Sequence, residues 1–134
     1  MEKERKSFAM RPIGFLRTGA ETVPRHYSIS DVEGTIEMDR VYTEGLRDIK
    51  AGERIMVLFA FDRSPAFVPE THLIQRPPTT GRPTGVFSIC SPLRPNPIGM
   101  SVLLVTAIDE NVLSVKNIDM LDGTPILDIK PYRP

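Results

Sequence analysis

The sequence is short of most features that announce a function directly. It has no net charge, since 17 Lys and Arg balance 17 Asp and Glu over 134 residues. That excludes a chain that grips nucleic acid by overall charge, so any anionic partner has to be held by a local patch. Cys90 is the only cysteine, which rules out an intrachain disulfide and a four-thiolate metal cage. Only His26 and His72 add to the soft ligands, so we expect a reducing compartment and no metal. The longest apolar stretches, Ile55 to Phe61 and Val102 to Ile108, fall far below the ~20 residues of a membrane helix. The charged start, Met1 to Lys6, has no signal-length apolar run behind it, and a cytoplasmic protein is expected. There is also no G-x-G-x-x-G and no strand–helix–strand alternation, which excludes a Rossmann-type cofactor domain.

Proline, by contrast, is abundant. The chain has 13, and eight of them lie between Pro65 and Pro97. Proline removes an amide donor and breaks helix interiors, so this middle third reads as loop, turn and short extended pieces. Strand candidates surround it: Pro12 to Arg17, Gly34 to Met38, Ile55 to Phe61 and Gly85 to Ile89. The Ile55 segment is apolar throughout, as expected of a strand covered on both faces. Ser101 to Ile108 and Val112 to Asn117, joined at Asp109-Glu110-Asn111, read as a hairpin. Tyr42 to Ile49 is the one helix candidate. The expectation is therefore a mainly β fold, a barrel or sandwich, with one short helix and a long proline-rich loop.

Charge is unevenly spread. No Asp or Glu occurs from Thr71 through Ile108, where His72, Arg76, Arg82 and Arg94 fall, whereas Asp31 to Glu53 holds seven acids. The acid-free stretch either faces phosphate groups or simply solvates a loop.

Two segments stand out chemically. Ser91-Pro92-Leu93-Arg94-Pro95-Asn96-Pro97-Ile98-Gly99 is stiffened by three prolines, and Gly99 can supply a positive φ at the next strand. It is a rigid connector or a pre-ordered binding loop. Asp119 to Tyr132 begins with an Asp122-Gly123 turn signal. Asp128, Lys130 and Tyr132 then alternate with apolar residues, so an extended chain puts all three on one face, either a solvated surface or a site. A cysteine hydrolase built on Cys90 finds no nucleophile motif nearby, and we do not expect thiol alkylation to inactivate the protein.

Together these segments resemble a known family. Gly85-Val86-Phe87, Ser91-Pro92, Arg94 to Ser101, Asp119 with Leu121 to Pro125, and Asp128 to Tyr132 are similar to the TsaA-like tRNA N6-threonylcarbamoyladenosine methyltransferases. Weaker matches at Ile13-Gly14, Pro24-Arg25, Gly45-Leu46 and Arg76-Pro77-Pro78 extend the resemblance over nearly the whole chain. It implies a single-sheeted β-barrel, and 1–134 is expected to form one such domain; better-known members continue into a second, C-terminal domain, which this chain, ending at Pro134, is expected to lack. It also implies S-adenosyl-L-methionine as cofactor, tRNA as substrate and a homodimer. Carried over by position, the cofactor side comprises Pro24, Arg25, His26, Asp62, Arg63, Cys90, Met100, Asp122, Gly123, Thr124, Pro125 and Ile126. The adenosine side comprises Arg94, Asn96, Asp128, Lys130 and Tyr132, with Asp128 nominated as base.

Three positions depart from the family pattern: His26 for Gln, Asp62 for His and Cys90 for Arg. They leave room for a cofactor-binding paralogue with another methyl acceptor, or for a non-catalytic binding module.

Overall fold

The computed structural model describes residues 6–133, so most of the charged amino terminus, residues 1–5, lies outside it. Six antiparallel strands close into a barrel in the order β1-β2-β7-β6-β3-β8. They are β1 (Gly14–Arg17), β2 (Glu33–Met38), β3 (Arg54–Ala60), β6 (Ile98–Asp109), β7 (Val112–Lys116) and β8 (Pro125–Pro131). Pairing of Gly14 with Ile126 and of Phe15 with Pro125 joins the first strand to the last, so the sheet has no free edge. Leu16, Ile36, Val57, Leu103, Val105, Leu113 and Ile126 fill the interior.

The β6–β7 hairpin forms where the alternation predicts it, with Leu113 and Val115 inside and Ser114 half exposed. Its turn is one residue tighter than the pattern indicates, because Asp109 still pairs with Val112. Glu110 takes the strain at φ 52, and the buried Asn111 amide donates to the Met38 carbonyl at 2.7 Å, pinning the turn to β2.

Other expectations need correction. β3 buries only Ile55, Val57 and Phe59, while Met56, Leu58 and Ala60 are half exposed. A sheet closed on itself encloses one face only, and these three side chains stand on the other. Gly85 to Ile89 is not a strand. Thr84–Gly85 (β5) pairs briefly with Ile74–Gln75 (β4), and Val86–Ser88 then curls into a 3-10 turn. The expected helix is also 3-10 and covers Arg40–Leu46. The four-residue α1 (Pro69–His72) lies within the proline-rich excursion.

Candidate ligand-binding site

Four stretches of chain meet around the end of the barrel where β3 exits and β6 enters: Arg25 to Tyr27, Phe59 to Ser64, Ile89 to Arg94, and Asp119 to Thr124. They enclose two adjoining chambers of about 280 and 260 Å³. Phe59, Phe61, Pro92 and Asp119 line both chambers. The two phenyl rings meet edge-on at 5.1 Å. Gly99 makes this wall: a Cβ there would fall 2.3 Å from the Phe59 ring and 2.8 Å from that of Phe61. Close approach, rather than the positive φ expected from its place in the loop, is what requires glycine at this position.

The larger chamber is lined by Arg25, His26, Cys90, Arg94 and Met100. His26 caps a 3-10 turn (Tyr27–Ile29), its Nδ1 accepting the Ser28 amide at 3.2 Å. The turn itself is held by Asn117, at φ 78, whose amide donates to the Ser30 carbonyl at 2.7 Å. Arg94 staples its own loop. One terminal nitrogen donates to the carbonyls of Ile89 at 2.8 Å, Ser91 at 3.2 Å and Val86 at 3.3 Å.

The smaller chamber is lined by Asp62, Arg63 and Thr124. Arg63 donates to the Asp122 carbonyl, and the Asp122 carboxylate accepts the Thr18 amide at 3.0 Å. Gly123 makes the predicted turn at φ 82, and a Cβ there would crowd the Arg63 guanidinium at 3.1 Å.

The remaining expected residues lie elsewhere. Pro24, Asn96, Asp122, Gly123, Pro125 and Ile126 line neither chamber, and the Ile126 side chain is fully buried in the core. Asp128 and Lys130 share a face as the alternation predicts, forming a 3.2 Å ion pair. That face is the outside of the barrel, because their partners on β3 are Leu58 and Met56, whose other neighbours are Met100 and Val102 on β6. Two strand spacings of ~4.8 Å therefore separate Asp128 from Met100. Tyr132 lies beyond the end of β8, and none of the three lines a chamber.

One site residue carried no assigned role in the sequence. Asp119 sits between Ile118 and Met120, both buried, and that alternation turns its carboxylate toward the chambers. Burial raises its proton affinity above the ordinary carboxylate range. The Ser101 hydroxyl, the charge of His26 and nearby backbone amides offset this in part.

Residues 17–134 match the family model described as the tRNA-methyltransferase O N-terminal domain. The chain belongs to that family. Among relatives of this N-terminal domain, a probable S-adenosyl-L-methionine-binding protein of Pyrococcus abyssi is 38% identical over 92% of this chain and 67% of its own length. An S-adenosyl-L-methionine-binding protein of Archaeoglobus fulgidus is 35% identical over 93% of this chain and 89% of its own length. The tRNA (adenine(37)-N6)-methyltransferase of Escherichia coli is 32% identical over 96% of this chain but only 59% of the enzyme. A crystal structure of TrmO from P. aeruginosa superposes with a TM-score of 0.77 at 31% identity, covering 99% of this chain and 58% of that one. The chain thus spans somewhat over half of the Escherichia coli enzyme and of the solved TrmO chain.

Proposed function

We propose that the domain binds S-adenosyl-L-methionine across the two chambers and directs its methyl group to N6 of a threonylcarbamoylated adenosine beside the tRNA anticodon. Convergence carries this reading. Arg25, His26, Asp62, Arg63, Cys90, Met100 and Thr124 come from separate stretches of chain, and all line the paired chambers. The chemistry also fits: aromatic and proline walls suit a purine, and the arginines suit an amino-acid carboxylate. The cofactor, when bound, supplies an electrophilic methyl group. The chain's residues orient it and exclude water, and they bring the acceptor nitrogen to ~3–3.5 Å in line with the bond that breaks.

The acceptor side calls for a second copy of the chain. Asp128 and Lys130 stand on the outer barrel face, beside a strip of Met56, Leu58, Ala60, Ile98 and Met100. A homodimer through this strip brings one copy's Asp128 and Lys130 to the other's larger chamber. There Asp128 would take the N6 proton as that nitrogen receives the methyl group the bound cofactor would supply. Lys130 holds the threonyl carboxylate, Tyr132 stacks on the base, and Arg94 with Asn96 contacts phosphate.

A second reading keeps the cofactor but changes the acceptor. It is favoured by Asp62 and Cys90, which stand in the chamber walls where the family resemblance implies His and Arg, and make the pocket less positive. One assay separates the two: methyl-labelled cofactor offered with tRNA that bears or lacks the threonylcarbamoyl group. Label should enter only the modified tRNA, and Asp128→Asn should slow single-turnover transfer by ~10²-fold or more. Tight calorimetric binding with label in neither tRNA would favour the second reading. A wild-type rate from Asp128→Asn would remove the base assignment, and a monomer at assay concentration would remove the shared site.

A further inference from the structure

The cofactor reading leaves one group without a task. Asp119 occupies the waist between the chambers, the only ionisable residue that lines both of them among those described. Its surroundings there are Phe59, Phe61 and Pro92. One carboxylate oxygen accepts the hydroxyl of Ser101, which is fully buried on β6. Among the described residues no Lys, Arg or His lies within ion-pair distance of it, although Arg25, His26, Arg63 and Arg94 all line the same chambers. Those cations instead engage backbone carbonyls or neighbouring side chains where their bonds are defined: Arg63 at Asp122, Arg94 at its own loop, His26 at Ser28. A carboxylate kept in an apolar waist with no cation in ion-pair contact, its burial only partly offset by His26, is costly to bury, and a ligand bearing positive charge would remove that cost.

We propose that Asp119, oriented by Ser101, is the counter-ion of the cofactor's sulfonium and makes the site prefer the charged methyl donor over its neutral thioether product. The inference rests on the cofactor reading above. The sulfonium is the one positive centre lost on methyl transfer, since donor and product share the adenine, the ribose, the ammonium and the carboxylate. A carboxylate near the amino-acid end would stabilise both equally. One beside the sulphur discriminates between them, and so favours release of product after each turnover.

The test is binding by calorimetry with three probes: S-adenosylmethionine, S-adenosylhomocysteine, and an analogue with an amine in place of the methylsulfonium. Wild-type protein should bind the two cationic ligands more tightly than the thioether. Asp119→Asn should weaken both cationic ligands at least ~10-fold, because a nearby charge pair in a half-buried site is worth more than the tenfold unit, and leave the thioether within ~2-fold. Ser101→Ala, which frees the carboxylate without removing it, should show the same pattern at smaller amplitude, and it serves as the probe if Asp119→Asn does not fold. Equal weakening of all three ligands would overturn the proposal and assign Asp119 to a group they share. Unchanged binding of all three would overturn it as well. Failure of wild-type protein to bind any of them would overturn the cofactor reading itself and the proposal with it.

Discussion

Between Phe61 and Pro97 the chain makes a single strand pair of two residues a side, whereas each barrel strand pairs with two neighbours. Both regions have to satisfy their backbone polar groups, and they do so by different means. In the barrel the ladder does it, leaving side chains free to be apolar filling. In the excursion short backbone turns, such as Gly81 to the Pro77 carbonyl at 2.7 Å, do part of it, and polar side chains do much of the rest. Arg94 serves three carbonyls, Gln75 ties the carbonyls of His72 and Leu93 together at 2.7 and 2.8 Å, and Arg76 donates to the Gly81 carbonyl at 3.1 Å. Stability and ligand binding are therefore expected to reside in different parts of this small molecule.

Two substitutions test that division. The largest loss of stability is expected from the barrel: Ile36 is fully buried, and Ile36→Ala should cost about 2–5 kcal/mol in denaturant unfolding. Cofactor affinity measured on the folded fraction should stay within a factor of ~2, since Ile36 lines neither chamber. Arg94→Ala should do the reverse. It removes hydrogen bonds worth about 1.5–3 kcal/mol to a loop outside the core. Its effect on global unfolding should be the smaller of the two, while affinity falls ~10- to 100-fold because the ligand must now order the loop. A large affinity loss from Ile36→Ala, or none from Arg94→Ala, would break the separation.

The same contrast explains how much of the molecule the sequence makes legible. Barrel strands carry a period-two signal because one face is always inside, so β2 and β7 are readable within a residue, and β6 within one residue at its end but three at its start. β3 misleads on its covering because Met56, Leu58 and Ala60 are apolar yet face outward. The excursion has no period. What decides its shape is which carbonyls Arg94 can reach, and that is fixed only once the loop has closed. The chamber residues were legible through the resemblance, not through any pattern. Asp119 escaped assignment although the Ile118-Asp119-Met120 alternation marks it, because in a one-dimensional reading a lone acid beside a turn looks solvated. Separation of Asp128 from Met100 by a whole strand is a property of sheet order, which local sequence does not encode.

Asp119 is the point where the two regions meet, since Ser101 of β6 holds it and the excursion covers it, and the smallest effect expected is on its contribution to stability. Its proton affinity is raised in the folded protein, chiefly by burial. The folded state therefore binds the proton more tightly than the unfolded chain, and stability falls as pH rises from the ordinary Asp value, about 4, through the raised one. Above the raised value the ionised carboxylate is a net cost to folding. Asp119→Asn removes that charge and can still accept from Ser101. Its melting temperature should exceed wild type at pH 7, and the gap should close as pH is lowered past the ordinary Asp range. The opposite result, a variant less stable than wild type at pH 7 with an unchanged pH profile, would make Asp119 a structural anchor of the barrel end. A site whose removal stabilises the fold is what a functional carboxylate predicts, because its cost is recovered only when a cationic ligand arrives.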